Sequence, residues 1–112
     1  MVEYTAAIQN YNMSDTLEQS VRSVLDQLDD RFEVLVVDDG STDGSVEILE
    51  RLQAEYDALR VIALPRDPHR RLGETRNISV REARGEHVVL HLDTDEYYEP
   101  GIRELVEVYR QL

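Results

Sequence analysis

A chain of 112 residues suffices for one domain with a real apolar core, and the absence of cysteine excludes disulfides and thiolate metal sites. No apolar run approaches the roughly 18 to 20 residues of a membrane span, and MVEYTAAIQ has no basic region before an apolar core, so a soluble cytoplasmic protein is expected. The 24 acidic residues outnumber 12 basic ones, all arginine, for a net charge of −12, which argues against duplex nucleic acid, whose phosphates require clustered positive charge.

Tyr4 to Gln9 (YTAAIQ) predicts a first short strand of weak pattern, followed by the polar turn Asn10-Tyr11-Asn12. Asp15 with Glu18 three residues on is a capping-box signal. Leu17, Val21, Val24, Leu25 and Leu28 then recur at helical spacing, which predicts a helix to about Gln27. Phe32 to Val37 (FEVLVV) reads as the second strand. It runs into Asp38-Asp39-Gly40-Ser41-Thr42-Asp43-Gly44, a loop with two glycines and several residues able to cap a helix. Val46, Leu49, Leu52 and Tyr56 mark a second helix that fades near Ala58. Arg60 to Leu64 is the third strand, and Pro65 and Pro68 make PRDPHRRLG an irregular loop. A third helix is expected from about Leu72 to Ala83 with Gly85 as its stop. His87 to Asp93 is the fourth strand, and a last helix starts at Pro100 or Gly101.

Four strands alternating with four helices predict an α/β fold with a mainly parallel sheet, helices on both faces and right-handed crossovers. Ligands of such sheets bind beyond the carboxyl ends of the strands. Three polar clusters fall at strand carboxyl ends: Asn10 to Asn12, Asp38 to Asp43, and Asp93 to Glu96. In the last of these, the apolar run Val88, Val89, Leu90, Leu92 ends in Asp93-Thr94-Asp95-Glu96. Asp93 and Asp95 project to the same side of an extended backbone. Carboxylates at a buried strand end call for a cation, and Mg²⁺ or Mn²⁺ would suit oxygen ligands while leaving positions for phosphate. A solvated acidic loop is the plainer alternative.

The motifs resemble those of family 2 glycosyltransferases, a group with the three-layer α/β/α GT-A fold. They are QNYN at Gln9–Asn12, VVDDGSTDGS at Val36–Ser45, GETRN at Gly73–Asn77, ARGEHVVLHLDTD at Ala83–Asp95, and Pro100. VVDDGSTDGS is highly specific, whereas DTD alone is weak. The resemblance spans nearly the whole chain as one nucleotide-sugar-binding domain, residues 1–112. It implies inverting, metal-dependent transfer from a nucleotide sugar, with UDP the commonest donor nucleotide and GDP or dTDP open.

On that resemblance Gln9 and Tyr11 line the base pocket, Tyr11 by packing on the nucleobase. Asp38 and Asp39 lie by the nucleoside, Asp39 being the better acceptor for a hydrogen bond from the base. Arg76 approaches the nucleotide, Asp93 lies near the ribose or a metal-bound water, and Asp95 coordinates the metal that bridges the diphosphate. Gln9-Asn10 stands where the family has Pro-Thr or Pro-Ser, His69 where an Asn is common, and Thr75 where an Ala is usual. Family members continue past Pro100 into an acceptor-binding half with the general base, and Glu96 and Glu99 adjoin the metal motif too closely to serve. The expectation is a polypeptide that binds nucleotide far better than it transfers sugar. The rival is a non-catalytic nucleotide- or metal-binding half-domain, with a partner chain or a second copy covering apolar surface near Tyr97 to Leu112.

Each signal has a plainer reading. Asp38-Asp39-Gly40-Ser41 could only cap a helix, though two adjacent acids exceed that need. Arg76 opposes the macrodipole near a helix start, which suggests a ligand contact, while a pair with Glu74 stays open. His87 and His91 are read as structural, and Tyr97 and Tyr98 as packing beneath the last helix. A haloacid-dehalogenase motif lacks its Thr, a receiver domain lacks its lysine, and neither GxxxxGK nor GxGxxG occurs. The lysine-free acidic composition resembles that of proteins from extreme halophiles, and self-repulsion at this charge implies a salt-requiring fold.

Overall fold

The computed structural model describes residues 2–94, apart from the side chains of Leu72 and of residues 88–93. The expected last helix, Asp95 and Glu96 to Glu99 lie outside the described residues. Strands β1 (Tyr4–Asn10), β2 (Phe32–Asp39), β3 (Leu59–Leu64) and β4 (His87–Asp93) alternate with helices α1 (Ser14–Leu25), α2 (Ser45–Glu55) and α3 (Leu72–Glu82). All pairings are parallel, and the sheet order is β3-β2-β1-β4. The strand with the weakest pattern is therefore interior, and all seven of its residues are buried.

Alternation along β1 and β2 builds the two faces. Ala6, Ile8, Val34 and Val36 join Leu17, Val21, Val24, Leu49 and Leu52 in the main core beneath α1 and α2. Each fully buried leucine there contributes about 1.5–3 kcal/mol. The opposite face carries α3, joined to β1 by a hydrogen bond from Gln9 Nε2 to Ser79 Oγ at 2.8 Å. Near the amino ends of the strands, buried Glu33 accepts from Thr5 Oγ1 at 2.7 Å, Arg60 Nε at 3.1 Å and the Arg84 amide at 2.6 Å. Burial opposes its charge, yet the bonds from the Arg84 amide, Thr5 and Arg60 keep its carboxyl below the ordinary glutamate range. This fastens the α3–β4 link over the sheet.

Two local expectations are corrected. Asp15 and Glu18 form no capping box: α1 starts at Ser14 with no side-chain cap bond from Met13, and Glu18 instead pairs with Arg22 and Arg51. The N-terminal amide of Ser14 finds its acceptor in trans, at Asp43 Oδ2, 2.9 Å away. Gly85 is not the stop of α3, which ends at Glu82 with extended Ala83. A Cβ on Gly85 would lie 2.6 Å from the Tyr4 carbonyl carbon, so close backbone approach to β1 is what requires glycine.

Candidate functional site at the carboxyl edge of the sheet

Strand order reverses between β1 and β4, so the crevice beyond their carboxyl ends is where such a sheet accepts a ligand. The chain ties these ends together through one buried amide. Asn10 Nδ2 donates to Asp38 Oδ1 at 2.8 Å, and Asn10 Oδ1 accepts from Thr94 Oγ1 at 2.8 Å. The carboxylate acceptor dictates the orientation of the amide, which leaves its oxygen for Thr94. Thr94 is held a second time, its carbonyl accepting from Thr16 Oγ1 of α1 at 2.6 Å. The residue between the two candidate metal ligands is thus anchored to β1 and α1.

Asp38 is completely buried. Its Oδ1 also accepts from Ser41 Oγ at 2.6 Å and its Oδ2 from the Ser41 amide at 3.0 Å. These bonds satisfy a carboxylate that would otherwise be costly in the interior. Gly40, between them, has φ +72°, and a Cβ there would stand 2.5 Å from the Arg66 Cα. Both the left-handed turn and the passage of the β3–α3 loop require glycine. Asn12 answers from the β1 side, its amide donating to Ser41 Oγ at 3.0 Å and its Oδ1 accepting from the Thr42 amide at 2.8 Å.

Asp43 closes the loop by serving two helices. Besides the Ser14 amide of α1, it accepts from the Ser45 amide at 3.1 Å and the Ser45 hydroxyl at 2.6 Å at the start of α2. Burial acts against the charge, but the Ser45 hydroxyl and the Ser14 and Ser45 amides lower its carboxyl to about 2. An anion at two helix N-termini also meets the positive ends of both dipoles.

Two arginines of the β3–α3 loop reach over this edge. Arg70 Nη1 lies 2.6 Å from Asp39 Oδ1 and 2.9 Å from the Pro65 carbonyl. Arg70 thus fixes Asp39 Oδ1, while Oδ2 has no hydrogen-bond partner among the described residues. Arg66 places its guanidinium carbon 5.6 Å from the centroid of the Tyr11 ring and hydrogen-bonds the phenol oxygen. Residues 65–76 hold four arginines against Asp67 and Glu74, a locally positive stretch in a chain of net charge −12.

The sequence-derived candidates take distinct positions. Tyr11 is exposed at the edge, Asp39 is half-buried beside it, and Asp38 is buried behind it. Gln9 points away into the β1–α3 interface, where its Oε1 is buried without a hydrogen-bond partner among the described residues. Arg76 is exposed on α3, and its guanidinium pairs with no other described residue. Asp93 ends β4 opposite Gln9 in the parallel register, its side chain outside the described residues, as is the whole of Asp95. No group of three or more His, Cys, Asp or Glu side chains able to hold a metal occurs among the described residues. Asn10, Ser41, Asp43 and Thr94 lie within the polar clusters marked in the sequence at strand ends but had no role assigned, whereas Arg66 and Arg70 join the site from outside those clusters. The only signal for the two arginines was their density in a proline-bounded loop.

The chain matches the Glycosyl transferase family 2 model over residues 5–112. It is 32% identical over 111 residues to an uncharacterised glycosyltransferase of a Nostoc species, covering 97% of this chain and 33% of that protein. The structure superposes on Staphylococcus aureus TarS, residues 1–349, with a TM-score of 0.83 and 26% identity, covering 98% of this chain and 32% of that one. TarS has also been crystallised with UDP-GlcNAc. A mannosyltransferase of Pyrobaculum calidifontis, in complex with GDP-Man and Mn²⁺, matches at TM-score 0.66 and 26% identity over 80% of this chain and 27% of its own. The chain thus spans about a third of the length of these relatives. No helix among the described residues is long and apolar enough to cross a membrane. With the parallel GT-A sheet, the polar carboxyl edge and a family match over nearly its full length, the chain belongs to glycosyl transferase family 2.

Proposed function

We propose that this chain is the donor-binding portion of an inverting, metal-dependent glycosyltransferase that takes a nucleoside-diphosphate sugar, with UDP as the nucleotide. The observation that carries the reading is an exposed aromatic ring, Tyr11, just past β1, with the carboxylate of Asp39 at the end of neighbouring β2, whose Oδ2 has no hydrogen-bond partner among the described residues. A nucleobase offers a flat face to the first and an edge N–H to the second. The positive stretch 65–76 favours the approach of an anionic donor to an otherwise acidic molecule. The UDP-GlcNAc complex of TarS supports the same ligand class.

A divalent ion fits the residues the chain offers. Mg²⁺ and Mn²⁺ prefer oxygen donors, and Mg²⁺ typically uses one or two carboxylates together with phosphate oxygens. Asp95, with Asp93, would hold it. When bound, the ion supplies Lewis-acid stabilisation of the charge that develops on the diphosphate leaving group. The chain's own work is to orient. Thr94, hydrogen-bonded to Asn10 and Thr16, ties the end of β4 to β1 and α1, and Asp38 holds Asn10 in place. Acceptor activation is assigned to residues outside this edge, in the same polypeptide or in a partner chain.

Calorimetric titration of the chain with UDP and GDP, with and without Mn²⁺ in molar KCl, tests the reading. Metal-dependent UDP binding that disappears in Asp95→Ala is expected. Failure of the folded chain to bind either nucleotide would remove the donor-site assignment.

A further inference from the structure

We infer that Arg66 is a positioning residue of the donor site, holding the Tyr11 ring in the orientation that receives the nucleobase. The inference rests on the donor-site reading above and adds a residue that lies in none of the motifs behind it.

The contact is made at the phenol end of the ring. Nη1 donates to the phenol oxygen and the guanidinium carbon lies 5.6 Å from the ring centroid, so Arg66 holds Tyr11 at its hydroxyl rim. Tyr11 needs such a partner. It follows the last residue of β1 and is 43% exposed, in contrast to the fully buried aliphatic residues of the strand before it. An exposed tyrosine loses rotamer freedom when a base stacks on it, and ordering it beforehand removes that cost from binding.

Arg66 is itself fixed by its backbone. Its Cα and N occupy the space a Cβ on residue 40 would need, at 2.5 and 2.8 Å, so the β3–α3 loop sits directly against Gly40. Four residues on, Arg70 fixes Asp39 Oδ1 at 2.6 Å. One loop thus orients both elements of the candidate base pocket, the aromatic face through Arg66 and the carboxylate through Arg70. A flat heterocycle with an N–H at its edge, as in uracil, suits that arrangement. With the guanidinium at the hydroxyl rim of Tyr11, the base stacks on the ring face, and the hydrogen bond tethers the platform.

The test compares UDP with inorganic pyrophosphate, each titrated with Mg²⁺ in concentrated KCl against the full chain. Arg66→Met should weaken UDP binding by about tenfold, the scale of one lost hydrogen bond to a charged group. Pyrophosphate affinity should stay within about twofold, because the base platform does not touch it and concentrated KCl screens the loss of one exposed charge. Arg66→Lys should recover part of the loss. In a Tyr11→Leu background, Arg66→Met should have no further effect on UDP. Because the Arg66 side chain is exposed, melting followed by circular dichroism should show all variants folded. Unchanged UDP affinity in Arg66→Met overturns the inference. So does an equal loss for UDP and pyrophosphate, or an undiminished effect in Tyr11→Leu. If the parent chain binds no UDP, the donor-site reading fails first and takes this inference with it.

Discussion

Asn10 and Asp38 are joined across the ends of two neighbouring strands: Asn10 Nδ2 donates to Asp38 Oδ1 at 2.8 Å, with both residues buried. Asn10→Ala removes this bond and the one from Thr94, and leaves a buried carboxylate one donor short. A loss of about 2–3 kcal/mol is expected, within the range for an unsatisfied buried polar group. Urea denaturation monitored by circular dichroism measures it. A loss below about 0.5 kcal/mol, typical of a surface substitution, would mean the network does not anchor the edge.

The Asp39–Arg70 pair should matter for ligand more than for fold. Both side chains are largely shielded, and Arg70 fixes the orientation of an oxygen pair of which Oδ2 has no hydrogen-bond partner among the described residues. Asp39→Ala and Arg70→Ala should each weaken UDP binding by about tenfold, the worth of one hydrogen bond to a charged group. The double variant should lose little more than either single one, since the two act as a unit. Calorimetry on the four proteins reads this out, and additive losses would show independent contacts.

Asp43 gives the acid limb of stability a defined place. Its folded-state carboxyl is lowered to about 2, against about 3.9 for an unperturbed aspartate. A depressed value stabilises the fold above the unfolded pKa, and that stability is lost as pH falls from about 4 through about 2. Asp43→Asn should therefore flatten the decline in stability over that window. Asp43→Ala should cost about 1 kcal/mol at neutral pH, as loss of a helix-capping side chain does. Chemical denaturation between pH 2 and pH 7 tests both statements.

The sequence made the sheet legible because β2 and the apolar residues of α1 and α2 follow strand and helix periods closely. β1 was the weak signal, since Thr5, Gln9 and Asn10 interrupt an apolar strand with polar groups. Each finds a hydrogen-bond partner distant in sequence, at Glu33, Ser79 and Asp38, so nothing local announces a central strand. The same cause explains the false capping box at Asp15 and Glu18. Asp43, 29 residues from Ser14, supplies the acceptor, while Glu18 turns to arginines on its own helix and on α2. Adjacent acids at Asp38 and Asp39 were visible as a cluster, but their division of labour was not. Alternation along the strand sends one into the interior and leaves the other beside Arg70.

Net charge predicts a response to salt. With 24 acids and 12 arginines, like-charge repulsion destabilises the compact state at low ionic strength and is screened as the Debye length falls from about 30 Å at 0.01 M to about 3 Å at 1 M. The melting temperature should rise steeply with KCl up to about 1 M, where that screening is nearly complete. A melting temperature independent of KCl would contradict a salt-requiring fold.

The central claim is that the carboxyl edge of the sheet receives the nucleotide. Titration of the isotopically labelled chain with UDP and Mg²⁺ by two-dimensional amide NMR tests it most directly. Amide shifts concentrated at Tyr11, Asp39 to Ser41, Arg66 to Arg70 and Thr94 are predicted, with the Glu33, Arg84 and Gly85 cluster near the amino ends unmoved. Shifts centred on that opposite cluster, or none in a folded chain at saturating UDP, would contradict the account.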